Sequence, residues 1–325
     1  MSSGVVPATS TGVLGEVELG YARASKAPNT LRGYASDWNE WSTWCTAHRV
    51  TPLPAHPEQL ARYFSKLARD GAKVGTISRR RSSIKFAHET ANLTSPLDDA
   101  MLNAVWEGIR RTHGAPPDQA TPLMPPVLWE CLEATPTVNE DGTPPLAGLR
   151  DHAVILIGFA GACRASELIG IDVEHLEEHD NGIVLHIPRS KNNQHGETDQ
   201  LKILPRSKTP GRCPVAAIHA WRRAARIDTG PLLRGLKRTG QPRTGRVSHT
   251  TIVNILNHAI TRTGTDPTGY SPHSLRAGFV TWAHLLGQSD RAIAAQTGHR
   301  SLASIGTYVR IHEAWTANAA TTVIN

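Results

Sequence analysis

Long hydrophobic runs are missing from this 325-residue sequence. The longest, Ala153 to Cys163, falls far short of the roughly 20 apolar residues that a membrane-crossing helix needs. Residues 1–20 have no basic start and no apolar centre, which argues against a secretory signal. Cysteine is scarce: four stand at 45, 131, 163 and 213, without a C-x-x-C spacing. That excludes a disulfide-stapled mini-protein, and the four read as reduced thiols of a cytoplasmic protein. Aromatic residues make up only 5%, and just five are tyrosines. What is present is enough for a core: 39% of the residues are hydrophobic, which excludes collagen and disorder throughout. The length suggests two domains.

The formal net charge of +7 is mild, but it is unevenly spread. Residues 21–115 carry 14 basic against 8 acidic side chains, residues 130–180 carry 2 against 11, and residues 189–246 carry 14 against 3. Lys73, Arg79, Arg80, Arg81 and Lys85 form a cluster with no acidic residue between them. Two basic regions in different parts of the chain suit a polyanion such as nucleic acid, where each neutralised phosphate releases counterions. A solvated, solubilising surface is the plainer reading of either region alone.

Residues 1–20 are small, polar and Gly-containing, and are expected to be a disordered tail. Leu31, Tyr34, Trp38, Trp41 and Cys45 follow the 3-4 spacing of one buried helical stripe. A second helix opens at Pro57 with Leu60, Phe64 and Leu67 inward, a third runs from about Thr76, and a fourth from about Asp98. Residues 21–113 thus read as an all-helical bundle with one basic helix. Five prolines between 113 and 126 mark a linker at 114–126. Beyond it, helices are expected near 127–134, 149–161, 215–226, 249–263, 273–286 and 290–298. Two strands, 182–188 and 201–205, flank the polar turn 190–198. The fold class is mainly α, with a small antiparallel sheet in the larger C-terminal domain, 127–325.

Several short segments could carry phosphodiester chemistry, which needs fixed cations around the phosphate, a proton donor for the leaving oxygen and a nucleophile. Arg164 follows an apolar helix, with Glu167 three positions on, a spacing that also suits a structural ion pair. His273 and Arg276 share one face at a helix start, where anions are favoured. Gly298-His299 comes next, and Tyr308 nine positions after that histidine.

Taken together, the ordered set Arg164, Lys191, His273-x-x-Arg276, Gly298-His299 and Tyr308 resembles the tyrosine recombinase (phage integrase) family, of the Cre-like or Xer-like kind. The resemblance extends from about residue 21 to the end. It implies an N-terminal core-binding, SAM-like domain at 21–113 and a catalytic domain at 127–325. Arg164 and Arg276 would clamp the scissile phosphate, because a guanidinium binds phosphate oxygens bidentately and never loses its charge. His299 would hydrogen-bond a non-bridging oxygen, and His273 would contact the phosphate and accept the tyrosine proton. Lys191, in the turn between the strands, would be the general acid, with Lys202 in the following strand as its rival. Glu167 would orient its neighbours. Tyr308 would be the nucleophile: Tyr21, Tyr34 and Tyr63 lie in the first domain, and Tyr270 suits packing. No metal or other cofactor is implied, since the phosphotyrosyl link conserves the bond energy. The partners implied are double-stranded DNA with an inverted-repeat site and three further copies of the chain, joined through the tail 311–325.

Other readings start from the same residues. His175-Leu176-Glu177-Glu178-His179 matches the H-x-x-E-H zinc-peptidase pattern, which requires both histidines on one helix, yet a Gly and a strand follow at once. A DNA-binding protein on the same fold that no longer cleaves, and a type IB topoisomerase or telomere resolvase, are the nearer rivals. A cytoplasmic, nucleoid-associated location follows from the DNA reading.

Overall fold

The computed structural model describes residues 25–116, 118–188 and 200–298. The chain divides into two compact units, Met1–Pro117 and Asp118–Asn325.

The described part of the first unit holds four α-helices: α1 Pro28–His48, α2 Pro57–Arg69, α3 Val74–Thr90 and α4 Ala100–His113. Proline at the first position opens α1 and α2, where its missing N–H costs nothing. Asp99 caps α4 by accepting the Leu102 N–H at 2.8 Å. The helices bury Trp41, Trp44, Cys45, Leu60, Tyr63, Phe64, Ile77, Ile84, Leu102, Trp106 and Ile109 in one core. Trp41 stacks on Trp44, and both tilt against Tyr63. Asp37, on α1, is 1% exposed in this apolar setting, and α3 supplies its cations.

The second unit begins its described helices with α5 Val127–Glu133, α6 Leu146–Ala160 and the short α7 Ala165–Gly170. Strands β1 Leu176–His179, β2 Gly182–Ile187 and β3 Gln200–Pro205 follow, then α8 Pro214–Ala225. A small hairpin of β4 Arg234–Leu236 and β5 Pro242–Arg246 precedes α9 His249–Arg262, α10 His273–Leu285 and α11 Asp290–Thr297. Helix α6 runs through the centre of the core, packed against α8, α9 and α10; it is apolar on every side from Ala153 on, while Arg150, Asp151 and His152 are buried polar residues nearer its start. The sheet order is β1-β2-β3, antiparallel throughout. On β3 the two-residue alternation sends Lys202 and Leu204 inward and Leu201 and Ile203 outward, with Lys202 opposite Leu185.

The fold class is the expected one, and the differences are local. Strand β1, helix α7 and the β4–β5 hairpin are short, and no periodic pattern that brief marks an element. His175 ends a single 3-10 turn and His179 ends β1, so the H-x-x-E-H segment is not a helix. The two histidines are engaged separately: the His175 ring accepts the Asp172 N–H, while His179 bonds Glu177. Among the described residues no cluster of histidine, cysteine and carboxylate side chains could hold a metal. No described helix is long and apolar enough to cross a membrane.

Candidate active site

The turn between α6 and α7 brings together three of the predicted site residues, Arg164, Glu167 and Arg276. Arg164 is the N-cap of α7 and Glu167 its third residue. The Glu167 carboxylate accepts the Arg164 N–H at 3.0 Å and the Arg164 guanidinium at 2.5 Å. Glu167 is buried and sits 3.5 Å from the Lys202 ammonium. Burial alone would push its pKa up, but Lys202 and the backbone and side chain of Arg164 outweigh that and hold it below its ordinary value. It is a carboxylate between two cations.

Arg276 reaches the same turn from α10. It is 1% exposed, and its Nη1 donates to the carbonyl of Ala162 at 2.8 Å and to that of Thr297 at 2.7 Å. Arg276 and Ala162 are 114 positions apart in sequence, and the fold brings them into direct contact. His273 is exposed at the first position of α10, one turn before Arg276. Helix α10 can lie this close to the 121–124 segment because Gly278 has no side chain: a Cβ there would stand 2.0 Å from the Leu123 carbonyl oxygen. At the end of α11, Gly298 has φ +69°, and a Cβ would overlap the Gln200 amide, which instead donates to Thr297 O. Gly298 thereby ends α11 directly before position 299.

Lys202, the rival general acid, is fully buried beneath this turn and donates to backbone carbonyls of Gly161, Ala162 and Gln296. Burial lowers its pKa, against the pull of Glu167. The resemblance puts Lys191, in the turn, ahead of Lys202, in the strand; the direction in which Lys202 points follows from alternation along β3 once the pairing register is known. Lys191, His299 and Tyr308 lie outside the described residues, as do residues 1–20 and the tail 311–325. Of the other tyrosines, Tyr34 tilts against Phe86, and Tyr270 packs on the core of the second unit. Tyr63 is buried, with its phenol pushed up to about 12 by burial.

The basic cluster on α3 divides in two. Arg79 grips Asp37 with two hydrogen bonds of 2.8 and 2.9 Å while more than half its side chain stays in solvent. Arg80 is nearly enclosed: it lies 3.7 Å from Asp37, donates to Glu40, and reaches the Tyr63 hydroxyl at 3.3 Å. Arg81 bonds Asn103 at 2.9 Å and covers the Trp106 ring at 4.7 Å. Lys73 and Lys85 are exposed, and Lys85 stands 3.7 Å from Glu89. The sequence reading passed over a second surface with an excess of basic groups, a shallow depression lined by Trp44, His48, Arg62, Lys66, Arg69 and Asp70, where Asp70 pairs with Lys66. Its basic residues are spread over α1 and α2 and form no run.

A model of the phage integrase family matches residues 138–314, more than half of the chain. The chain belongs to that family. The recombinase is 34% identical over 304 residues to an integrase/recombinase XerD homologue of Selenomonas ruminantium, covering 93% of this chain and 87% of that one. It is 26% identical over 309 residues to the tyrosine recombinase XerD of Mycobacterium tuberculosis, with 89% and 91% covered. Among solved structures it shares its fold with the XerH site-specific recombinase bound to a palindromic difH substrate, at TM-score 0.65 and 15% identity over 95% of this chain and 84% of that one. A lambda integrase dimer bound to a COC' core site matches at TM-score 0.59 and 14% identity, over 90% and 74%. The enzyme is a tyrosine recombinase.

Proposed function

We propose that this recombinase cuts and rejoins DNA at a specific site through a 3'-phosphotyrosyl link on Tyr308. The observation that carries the reading is the meeting of Arg164, Glu167 and Arg276 at the α6–α7 turn. Two arginines from distant parts of the sequence are fixed there by a buried carboxylate and by backbone carbonyls. A pair of guanidinium groups held in place before substrate arrives is what a phosphate gaining charge in its transition state requires. The DNA-bound relatives of like fold support the choice of substrate.

In this mechanism Arg164 and Arg276 bind the non-bridging oxygens, with His273 and His299 beside them. The Tyr308 phenol oxygen attacks phosphorus while its proton passes to His273. The bond from phosphorus to the 5' oxygen breaks, and Lys191 gives that oxygen a proton. The 5'-hydroxyl of a partner strand then attacks the phosphotyrosyl phosphorus, and the tyrosine leaves. An unperturbed phenol, with a pKa of about 10, is a weak nucleophile at neutral pH, so the surrounding cations are part of the reaction. The full reaction joins four copies of the chain on two sites with inverted repeats, in the cytoplasm at the nucleoid, with the tail 311–325 reaching a neighbour. Residues 21–113 act as the core-binding domain and 127–325 as the catalytic domain. Lys73, Arg79 and Lys85 meet DNA phosphates, and Arg80 and Arg81 brace the helix that carries them.

The test is a nicked suicide duplex whose site is first obtained by selecting bound sequences from random DNA. The wild-type chain forms an adduct that survives SDS, while Tyr308→Phe binds the same duplex and forms none. Adduct formation by Tyr308→Phe overturns the nucleophile assignment.

A further inference from the structure

Ala162 has a backbone conformation that alanine seldom adopts. Its φ is +44°, in the left-handed region, where a Cβ crowds the following carbonyl. Its carbonyl oxygen shows what the conformation secures: it accepts from Arg276 Nη1 at 2.8 Å and from Lys202 Nζ at 3.4 Å. Lys202 also donates to Gly161 O at 2.8 Å and to Gln296 O at 3.2 Å, with Glu167 Oε2 at 3.5 Å. The Gln296 side chain continues the network, donating to Ala160 O at 2.7 Å and Ile203 O at 2.8 Å. Carbonyls at the end of α6 and at the end of α11 are orphans of their helices, and a cation placed there satisfies them and the helix dipoles together.

We propose that Lys202 is a positioning residue of the recombinase, a buried cation that holds both arginines and the α11 terminus in working register, and not the proton donor. The assignment rests on the recombinase mechanism above. Three ties define it: Lys202 shares the Ala162 carbonyl with Arg276, neutralises the carboxylate that grips Arg164, and anchors Gln296 two residues before Gly298. An ammonium has three hydrogens, and here four oxygens of the protein surround them. A general acid must come within about 3 Å of the leaving oxygen with a hydrogen aimed at it, whereas the hydrogens of this ammonium are directed to oxygens of the protein. The carbonyls would be orphaned and Glu167 left beside one fewer cation if the ammonium turned toward DNA.

The two roles separate on a duplex whose scissile 5' oxygen is replaced by sulfur, because a thiolate leaves without being protonated. Lys202→Met and Lys202→Arg are compared with wild type on the oxygen and sulfur forms of the selected suicide duplex, with DNA affinity measured alongside. The expected result is binding within about threefold of wild type, with Lys202→Met slowed about 100-fold on both substrates, the scale of a small misplacement of catalytic groups. Lys202→Arg, which keeps the charge but is a far weaker acid, recovers most of the rate on both. Restoration of Lys202→Met to wild-type rate by the sulfur substrate alone overturns the proposal. So does failure of both variants to fold, which would make Lys202 a requirement of the fold only. Absence of an adduct from the wild-type chain is a different result, and removes the recombinase mechanism on which the assignment stands.

Discussion

At the scale of single residues, the buried carboxylates are the positions where charge decides structure. Asp37 sits in the first core with Arg79 and Arg80 on it, and Arg80 keeps only a tenth of its side chain in water. Asp37→Asn leaves that guanidinium enclosed without its anion. The expected loss is about 3 kcal/mol, the low end for breaking a buried pair because Arg79 remains half exposed. Thermal denaturation followed by tryptophan fluorescence checks it, and a loss below 1 kcal/mol would show that water replaces the pair. Glu167 gives a pH dependence of definite sign. Its folded pKa lies below the ordinary 4.5, so its stabilising contribution is complete above about pH 4.5 and disappears as pH falls through the folded value. Glu167→Gln should therefore flatten the acid limb of a urea-denaturation series run from pH 3 to 6; an unchanged limb contradicts the pairing. Sequence reading singled out Arg164, Glu167, His273 and Arg276 because each stands at a motif position, but it could not see Asp37. An aspartate at the edge of an apolar stripe looks solvated until the helix carrying its cations is packed on it.

At the scale of elements, the helical periodicity was legible, while the arginine cluster looks like one face in sequence and is divided in space. Successive residues of a helix point about 100° apart, so Arg79, Arg80 and Arg81 fan over some 200° and cannot all face one groove. A run of like charges in sequence is a ring around a helix in space, and α3 turns part of that ring against α1 and α4. The same geometry explains why α1, α2, α6 and α10 were visible, since each repeats its apolar residues over several turns. Strand β1 and helix α7 have too few residues to repeat anything. Close approach between elements also depends on absent atoms: Gly278→Ala should cost about 1–3 kcal/mol by forcing the Leu123 segment away from α10. Chemical denaturation measures that cost, and an unchanged midpoint would mean that the segment yields freely.

For the whole molecule, the charge distribution is the property that composition alone conceals. The acidic stretch 130–180 includes carboxylates committed to internal pairs, among them Asp151, Glu167 and Asp172. Each such pair takes up one negative and one positive charge, so the net figure is unchanged and only the placing of the remaining charge differs. Binding to the selected duplex should weaken steeply with salt, by about a thousandfold between 50 and 200 mM if six or more phosphates are neutralised. Fluorescence anisotropy across that range tests it, and a flat response would rule out a phosphate-dominated interface. The two-unit division falls within the proline-rich stretch at 113–126, where local composition carries the signal. The contact between Arg276 and the α6–α7 turn left no such local trace, because it arises only from packing across 114 positions.

The scattered thiols give the molecule a clock for each of its halves. Cys45 is buried in the first unit, and Cys131 and Cys163 in the second; burial pushes all three thiols up to about 11. At neutral pH only about one in ten thousand of each is thiolate, so an alkylating reagent meets them on the timescale of local opening. Cys213, partly exposed, should label first. Mass spectrometry of one reaction then times the breathing of the core beneath the arginines separately from that of the helical unit, with no probe added to the chain.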